Sequence, residues 1–282
     1  MKAMIDIHTH LFPHGCMSDE FVREAALMRK DTDISMDTLP HQHWAAMQSV
    51  ERAVVLAMRF LHVGVDVSND LVASYVSEHP ERLVGFMSLD PSEPDPIAEM
   101  DRAYHDLGMR GIKMSPIYQN YHPSDPRARE IYTRAERLGL PMLIHQGATF
   151  PRRAPLKYAL PHLLEDVALE FPELRIVIAH LGHPWEHETI VLIRKQPNLY
   201  SDLSGLFYRP WQFYNSMLLA QEYNVQHKLL FGSDWPIATP QETALGIRNV
   251  NAVVEGTKLP KVSLSAIEEI LERDGLKTLG VS

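Results

Sequence analysis

Apolar residues fall in eight short, nearly unbroken runs, at 3–10, 52–58, 82–89, 111–115, 141–145, 174–180, 198–204 and 228–234. Each is too short for an ordinary helix and too continuous for a strand with one wet face, so each predicts a strand covered on both sides. Between and after them lie stretches of helical period, at 68–79, 95–107, 125–138, 156–171, 184–195, 211–223, 241–255 and 265–279. Pro126 opens one and Gly139 follows it, the usual arrangement at helix ends. Strands alternating with helices predict a parallel sheet, and eight units predict a (β/α)8 TIM barrel in one domain, 1–282. A doubly wound open sheet is the alternative, weakened because no Gly-x-Gly-x-x-Gly or phosphate loop follows any strand. Residues 11–48 break the rhythm with Pro13, Gly15 and Pro40 and read as a long first loop on the active face, with a short helix near 19–28. Residues 263–282 close the chain as a C-terminal helix.

The polar residues that interrupt these runs stand at their carboxyl ends, the end at which a barrel gathers its catalytic groups. His8 and His10 leave one face of the first strand, because strand side chains alternate and Thr9 points the other way. His145 ends the fifth run, His180 the sixth and Asp234 the eighth. Three neutral imidazoles and one carboxylate, from His8, His10, His145 and Asp234, suit one divalent metal ion, zinc first, with manganese or iron as alternatives. Such an ion makes water a nucleophile near neutral pH. His180 is then left for proton transfer or for polarising a substrate carbonyl. His41, His43, His79, His105, His162, His187 and His227, in polar or helical contexts, read as surface or capping residues.

Composition narrows the company this site keeps. Lys and Arg total 27 against 36 Asp and Glu, a formal charge of −9 with no basic stripe, which argues against nucleic acid. No apolar stretch reaches the length of a membrane span, and no signal-like segment opens the chain, since Asp6, His8 and His10 interrupt its first apolar run. With the single Cys16 no internal disulfide forms, so a reducing cytoplasm is the expected compartment and Cys16 a small apolar filler. The expected partners are a small-molecule substrate and, at most, a second copy of the chain.

Four segments, Asp6-Ile7-His8-Thr9-His10, Ile144-His145-Gln146-Gly147, Ala179-His180-Leu181-Gly182 and Phe231-Gly232-Ser233-Asp234-Trp235-Pro236, together resemble the amidohydrolase superfamily. Within it they resemble the branch of aminocarboxymuconate semialdehyde decarboxylase, resorcylate decarboxylases and pyrone dicarboxylate lactonase. The resemblance implies metal ligation by His8, His10, His145 and Asp234, an acid/base role for His180, and proton acceptance by Asp234. Lys113 stands where binuclear relatives carry a bridging carboxylated lysine; in this mostly mononuclear branch it reads as a substrate-binding or structural cation. His183 stands where relatives often carry Gly. Arg59, Arg152, Arg153 and Arg209 follow predicted strands and are candidates to hold a substrate carboxylate, while Phe12, Tyr118, Tyr208 and Trp235 are candidates to wall a pocket. Asp202 reads as a supporting residue. The implied activity is metal-dependent hydrolysis of a lactone, ester or amide; non-oxidative decarboxylation is the alternative, and a catalytically silent binding barrel comes third.

Overall fold

The computed structural model describes residues 4–26, 28 and 29, and 34–281. All eight apolar runs form strands: β1 (Ile5–His10), β2 (Arg52–Leu56), β3 (Leu83–Ser88), β4 (Ile112–Met114), β5 (Met142–Ile144), β6 (Ile176–Ile178), β7 (Leu199–Asp202) and β8 (Leu229–Leu230). Ala3, the expected start of the first, lies outside the described residues. Neighbours in the chain are neighbours in one parallel sheet. Past the paired ends of β8 and β1, Ile7 N donates to Phe231 O (3.1 Å), Asp234 N to His8 O (2.8 Å) and His10 N to Trp235 O (2.9 Å). These bonds join the last strand to the first and turn the sheet into the predicted barrel.

The departures are local. After β2 the chain makes an antiparallel hairpin of Met58–Phe60 with Val65–Val67. The stretch expected as one helix at 156–171 is two single-turn pieces followed by the helix Glu165–Glu170, because Pro161 has no amide hydrogen to continue a helix. The closing helix is split into Leu264–Leu271 and Gly275–Thr278, the second capped by Asp274, whose Oδ1 accepts from Lys277 N (2.8 Å). The long first loop holds the helices Asp19–Ala25 and Pro40–Ala46.

Two apolar clusters divide the molecule. The larger packs the outward faces of the strands against the helices, with Val55, Ile112 and Ile176 meeting residues such as Val72, Met100 and Ile190. The smaller fills the barrel, where Ile5, Ile7, Val54, Leu56, Val84, Phe86, Leu143 and Val177 meet Leu276 of the last helix and its C-cap Leu279. Arg175, the residue before β6, donates to Leu279 O (3.3 Å), which places that helix under the amino ends of the strands as a plug.

Strand β1 carries one residue more than β2 pairs with, since Asp6 pairs with Ala53 but Thr9 with Val55. A bulge of this kind shifts the phase of the side chains that follow. It lets Ile5 and Ile7 join the apolar interior while His8 and His10, of opposite parity, face the same interior higher up. His8 N, displaced from the ladder, donates to Asp6 Oδ1 (3.1 Å).

Candidate metal centre

At the carboxyl ends of the strands the interior turns polar. His8 is fully buried, and its Nδ1–H donates to Asp202 Oδ2 (2.9 Å) at the end of β7. That bond fixes the tautomer, so Nε2 carries the lone pair. Nε2 faces Asp234 Oδ1 at 3.4 Å, and His10 Nε2 approaches the same oxygen at 3.2 Å. The Lys113 ammonium stands 3.2 Å from His8 Nε2.

Charge follows from burial and neighbours. Desolvation, with the Lys113 charge beside it, pushes the His8 imidazole down to about 3, and His10 is lowered chiefly by desolvation, so both stay neutral near pH 7. Burial alone would raise the Asp234 carboxyl, but His180, His8 and the hydrogen bond from His10 outweigh it and hold it well below the usual carboxylate range. Asp202 is held low in the same way, by His8 above all against its burial. Lys113 is pushed down to about 8 by desolvation, and Asp6 up to about 7 for the same reason.

A lone pair on His8 and an ionised carboxylate at Asp234 converge with no proton between them, and His8, His10 and Asp234 place their ligand atoms within 4.8 Å of one another. Neutral nitrogens and a carboxylate oxygen gathered on a buried point are the donor set of a divalent cation, so the residues present fit a metal. His8, Asp202 and His180 form a second such cluster, but Asp202 is already engaged there. Its Oδ1 accepts from His180 N (3.1 Å), Ser204 N (3.0 Å) and Ser204 Oγ (2.5 Å).

The local chain explains the placement. Asp6 Oδ1 also accepts from Ser233 N (3.0 Å), tying β1 to the turn that carries Asp234. Gly232 is required there, since a Cβ would lie 2.9 Å from His8 Cβ. Asp234 (φ 60°) and His180 (φ 53°) both occupy the left-handed region, a cost non-glycine residues bear mainly where the surroundings impose it. His180 Nδ1 lies 3.1 Å from Ser204 O and 2.8 Å from Ser204 Oγ. With Nδ1–H donated to the carbonyl, Nε2 is the basic nitrogen.

His8, His10, Lys113, His180 and Asp234 line a cavity of about 280 Å³ whose other walls include Phe12, Phe21, Met58, Tyr118, Phe150 and Tyr208. His145 lines it as well, edge-on to His180 with the ring centres 5.2 Å apart, but its Nε2 contacts Ala148 O (3.2 Å). The structure thus brings His8, His10 and Asp234 together and leaves His145 on the wall beside them. Arg209 lines the cavity over the Tyr208 ring, its Nη1 donating to Gly205 O (2.8 Å).

Arg59 is a correction. The hairpin after β2 carries it to Glu93 (2.6 Å) and Asp66 (3.3 Å), and it is not among the residues lining the cavity. Trp235 is another: its ring borders a separate small cavity with Arg29 and Glu242. Arg152 and Arg153 do not line the main cavity either. His43, expected at the surface, is fully buried, between Tyr75 Oη (2.9 Å) and Thr9 Oγ1 (2.8 Å). Cys16, its thiol pushed up to about 11 by burial, sits partly buried against the outer core as the expected filler. Ser204, Phe21 and Phe150 were not anticipated; Ser204, two residues past Asp202 on the strand's continuation, was the one with a positional signal.

Among the described residues no helix is long and apolar enough to cross a membrane. The family model described as Amidohydrolase matches residues 5–255. The 2-amino-3-carboxymuconate-6-semialdehyde decarboxylase of Dictyostelium discoideum is 31% identical over 183 residues, covering 58% of this chain and 48% of that protein. The matched segment therefore spans about half the length of this curated relative. Among solved structures, an uncharacterized TIM-barrel protein from Bordetella bronchiseptica superposes with a TM-score of 0.78 at 21% identity, covering 98% of each chain. A dihydroxybenzoic acid decarboxylase from Polaromonas sp. JS666, solved with bound manganese and the inhibitor 2-nitroresorcinol, superposes with a TM-score of 0.65 at 16% identity, covering 99% of this chain and 97% of that one.

Proposed function

The chain belongs to the amidohydrolase family, and from that premise we propose that it is a metal-dependent enzyme acting on the carbonyl or carboxyl group of a small, largely apolar carboxylic acid. The observation that carries the reading is the convergence of His8, His10 and Asp234 on one buried point at the floor of an apolar cavity. These three residues would hold one divalent ion, zinc before manganese or iron, with His145 as the fourth ligand. Bound there, the ion would supply Lewis acidity toward a substrate oxygen and would acidify water.

The chain's own groups do the rest. Asp202 holds His8 in the tautomer that presents Nε2. His180, with Nδ1–H on Ser204 O, keeps Nε2 as the atom that takes or delivers a proton over the floor of the cavity. Asp234 is ionised and able to accept the proton of an attacking water. Lys113 sets a positive charge beside the cluster, where an anionic oxygen of the substrate is neutralised. Arg209, on the wall, is the side chain placed to meet a second carboxylate. Phe12, Tyr118 and Tyr208 exclude water from the apolar body of the substrate.

In the hydrolytic reading, water adds to the carbonyl carbon, the carbon–oxygen or carbon–nitrogen bond breaks, and His180 protonates the leaving atom. The second reading is decarboxylation, favoured by the similarity to the Dictyostelium decarboxylase. There a proton is delivered to the carbon bearing the carboxylate, and the carbon–carbon bond breaks to release carbon dioxide. A screen of lactones and of aromatic and unsaturated carboxylic acids, scoring ring opening and carbon dioxide release separately on metal-reconstituted protein, decides between them. His180→Gln should lower kcat by about 10³-fold in whichever reaction is found while metal content holds. Full activity in that variant removes His180 from the mechanism. Protein that takes up no ion on reconstitution removes the metal.

A further inference from the structure

The cavity carries one further imidazole, which the mechanism above does not use. His183 follows the turn that holds His180, and its backbone is fixed on both sides: its N donates to His180 O (2.9 Å), and its O accepts from Ala148 N (2.7 Å). Gly147 lets the two loops meet so closely, because a Cβ there would stand 2.7 Å from His183 O. The side chain lines the cavity with 22% of its surface exposed. Its Nδ1 lies 2.8 Å from Glu186 Oε1, and Glu186 is buried, with only 2% of its side chain exposed. Glu186 is held in turn by Gln212, whose Nε2 donates to Oε2 (3.2 Å). A carboxylate accepts only, so Nδ1 carries the hydrogen, and in the neutral ring Nε2 is the acceptor. Among the described residues no protein group pairs with Nε2. A buried acid with its own anchor is more than a surface histidine needs, and its effect is to leave Nε2 as a hydrogen-bond acceptor on a side chain that lines the cavity.

We propose that His183, oriented by Glu186, is a specificity-determining residue that accepts a hydrogen bond from a hydroxyl group on the substrate, away from the carboxyl group held near Lys113. The inference rests on the cavity being the substrate site and adds the substrate class, a hydroxylated carboxylic acid. A site built to accept such a bond discriminates strongly against the analogue that lacks it, because the buried acceptor is then left unpaired.

The test is calorimetric binding of benzoate, the three hydroxybenzoates and the three methoxybenzoates to metal-reconstituted protein, with metal content measured first. Wild type should hold at least one hydroxybenzoate about tenfold or more tighter than benzoate, and its methoxy counterpart no tighter than benzoate. His183→Leu should erase that preference without changing metal content. Glu186→Gln is the sharper variant. Because Gln212 donates to the Oε2 position, the new amide sets its oxygen there and its NH₂ toward His183 Nδ1, so Nε2 becomes the donor. The hydroxybenzoate should then lose its advantage over the methoxybenzoate, because both the phenol and the ether oxygen can accept from an Nε2–H, a change that a merely structural role for Glu186 would not produce. Hydroxybenzoates bound no tighter than benzoate by wild type, or a preference unchanged in His183→Leu, overturns the proposal. Probe binding is read as heat with no turnover, so absence of the proposed reaction leaves this test intact. Absence of metal is seen separately.

Discussion

The same eight strands enclose two different interiors. Below, Ile5, Ile7, Val54, Leu56 and Val84 close on Leu276 of the last helix and Leu279 just past it, in a cluster of apolar side chains. Above, within a few residues along the same strands, His8, His10, Lys113, Asp202 and Asp234 crowd a comparable space, each shifted from its ordinary titration behaviour. The lower half gains free energy from every group it buries. The upper half pays desolvation for each of its charges and returns part of it through mutual pairing. Stability and chemistry are thus separated by height in one barrel rather than by domain.

Three substitutions sharpen that division. The largest effect belongs to Asp234→Asn, which removes the charge on which His8 and His10 converge; kcat/KM should fall by about 10⁴-fold, equivalent to about 5 kcal/mol of transition-state stabilisation. Circular dichroism and urea unfolding of the metal-free protein should show the fold retained. Loss of the fold in this variant would mean the two halves are not separable. Leu276→Ala is the mirror case: opening a cavity in the plug should cost about 2–5 kcal/mol in urea unfolding while kcat and metal content stay within twofold of wild type. A large drop in kcat with stability unchanged would break the comparison from the other side.

His43 gives the smallest effect and reads through pH. Burial pushes its imidazole down to about 3, so the fold holds it neutral, while the unfolded chain keeps the ordinary value of 6.5. The unfolded state therefore takes up the extra proton first as pH falls. The contribution is intact above pH 6.5 and is lost progressively toward pH 3, by about 1.4 kcal/mol per pH unit. Between pH 7 and pH 5 the metal-free wild type should lose about 2 kcal/mol more stability than His43→Gln; equal losses would show that His43 is not held neutral.

How much of this was legible in the chain depends on distance along it. The eight strands were, because an apolar run is a local signal and β1 to β8 each sit inside one. The positions of His8, His10, His180 and Asp234 at strand ends were legible for the same reason, although the bulge that turns Ile7 and His8 to one interior was not. Arg59 looked like a mouth residue by its place after β2, but its partners Glu93 and Asp66 are set by a hairpin that three residues of apolar pattern do not announce. His43 looked polar and exposed because its partners, Thr9 and Tyr75, lie more than thirty residues away on either side. His145 was placed on the correct strand, and only the packed loop shows its ring turned to Ala148 O.

The bond from Ser233 N to Asp6 Oδ1 joins residues 227 apart in the chain. His8 and Asp234 flank that bond, so the two halves of the donor set sit at opposite ends of the synthesis order. Contacts of such separation carry the largest loop-closure cost and come late in folding. A nascent or partly folded chain consequently has its first histidines long before it has a place for an ion, and on the proposed function uptake of an ion would serve as a timestamp for ring closure.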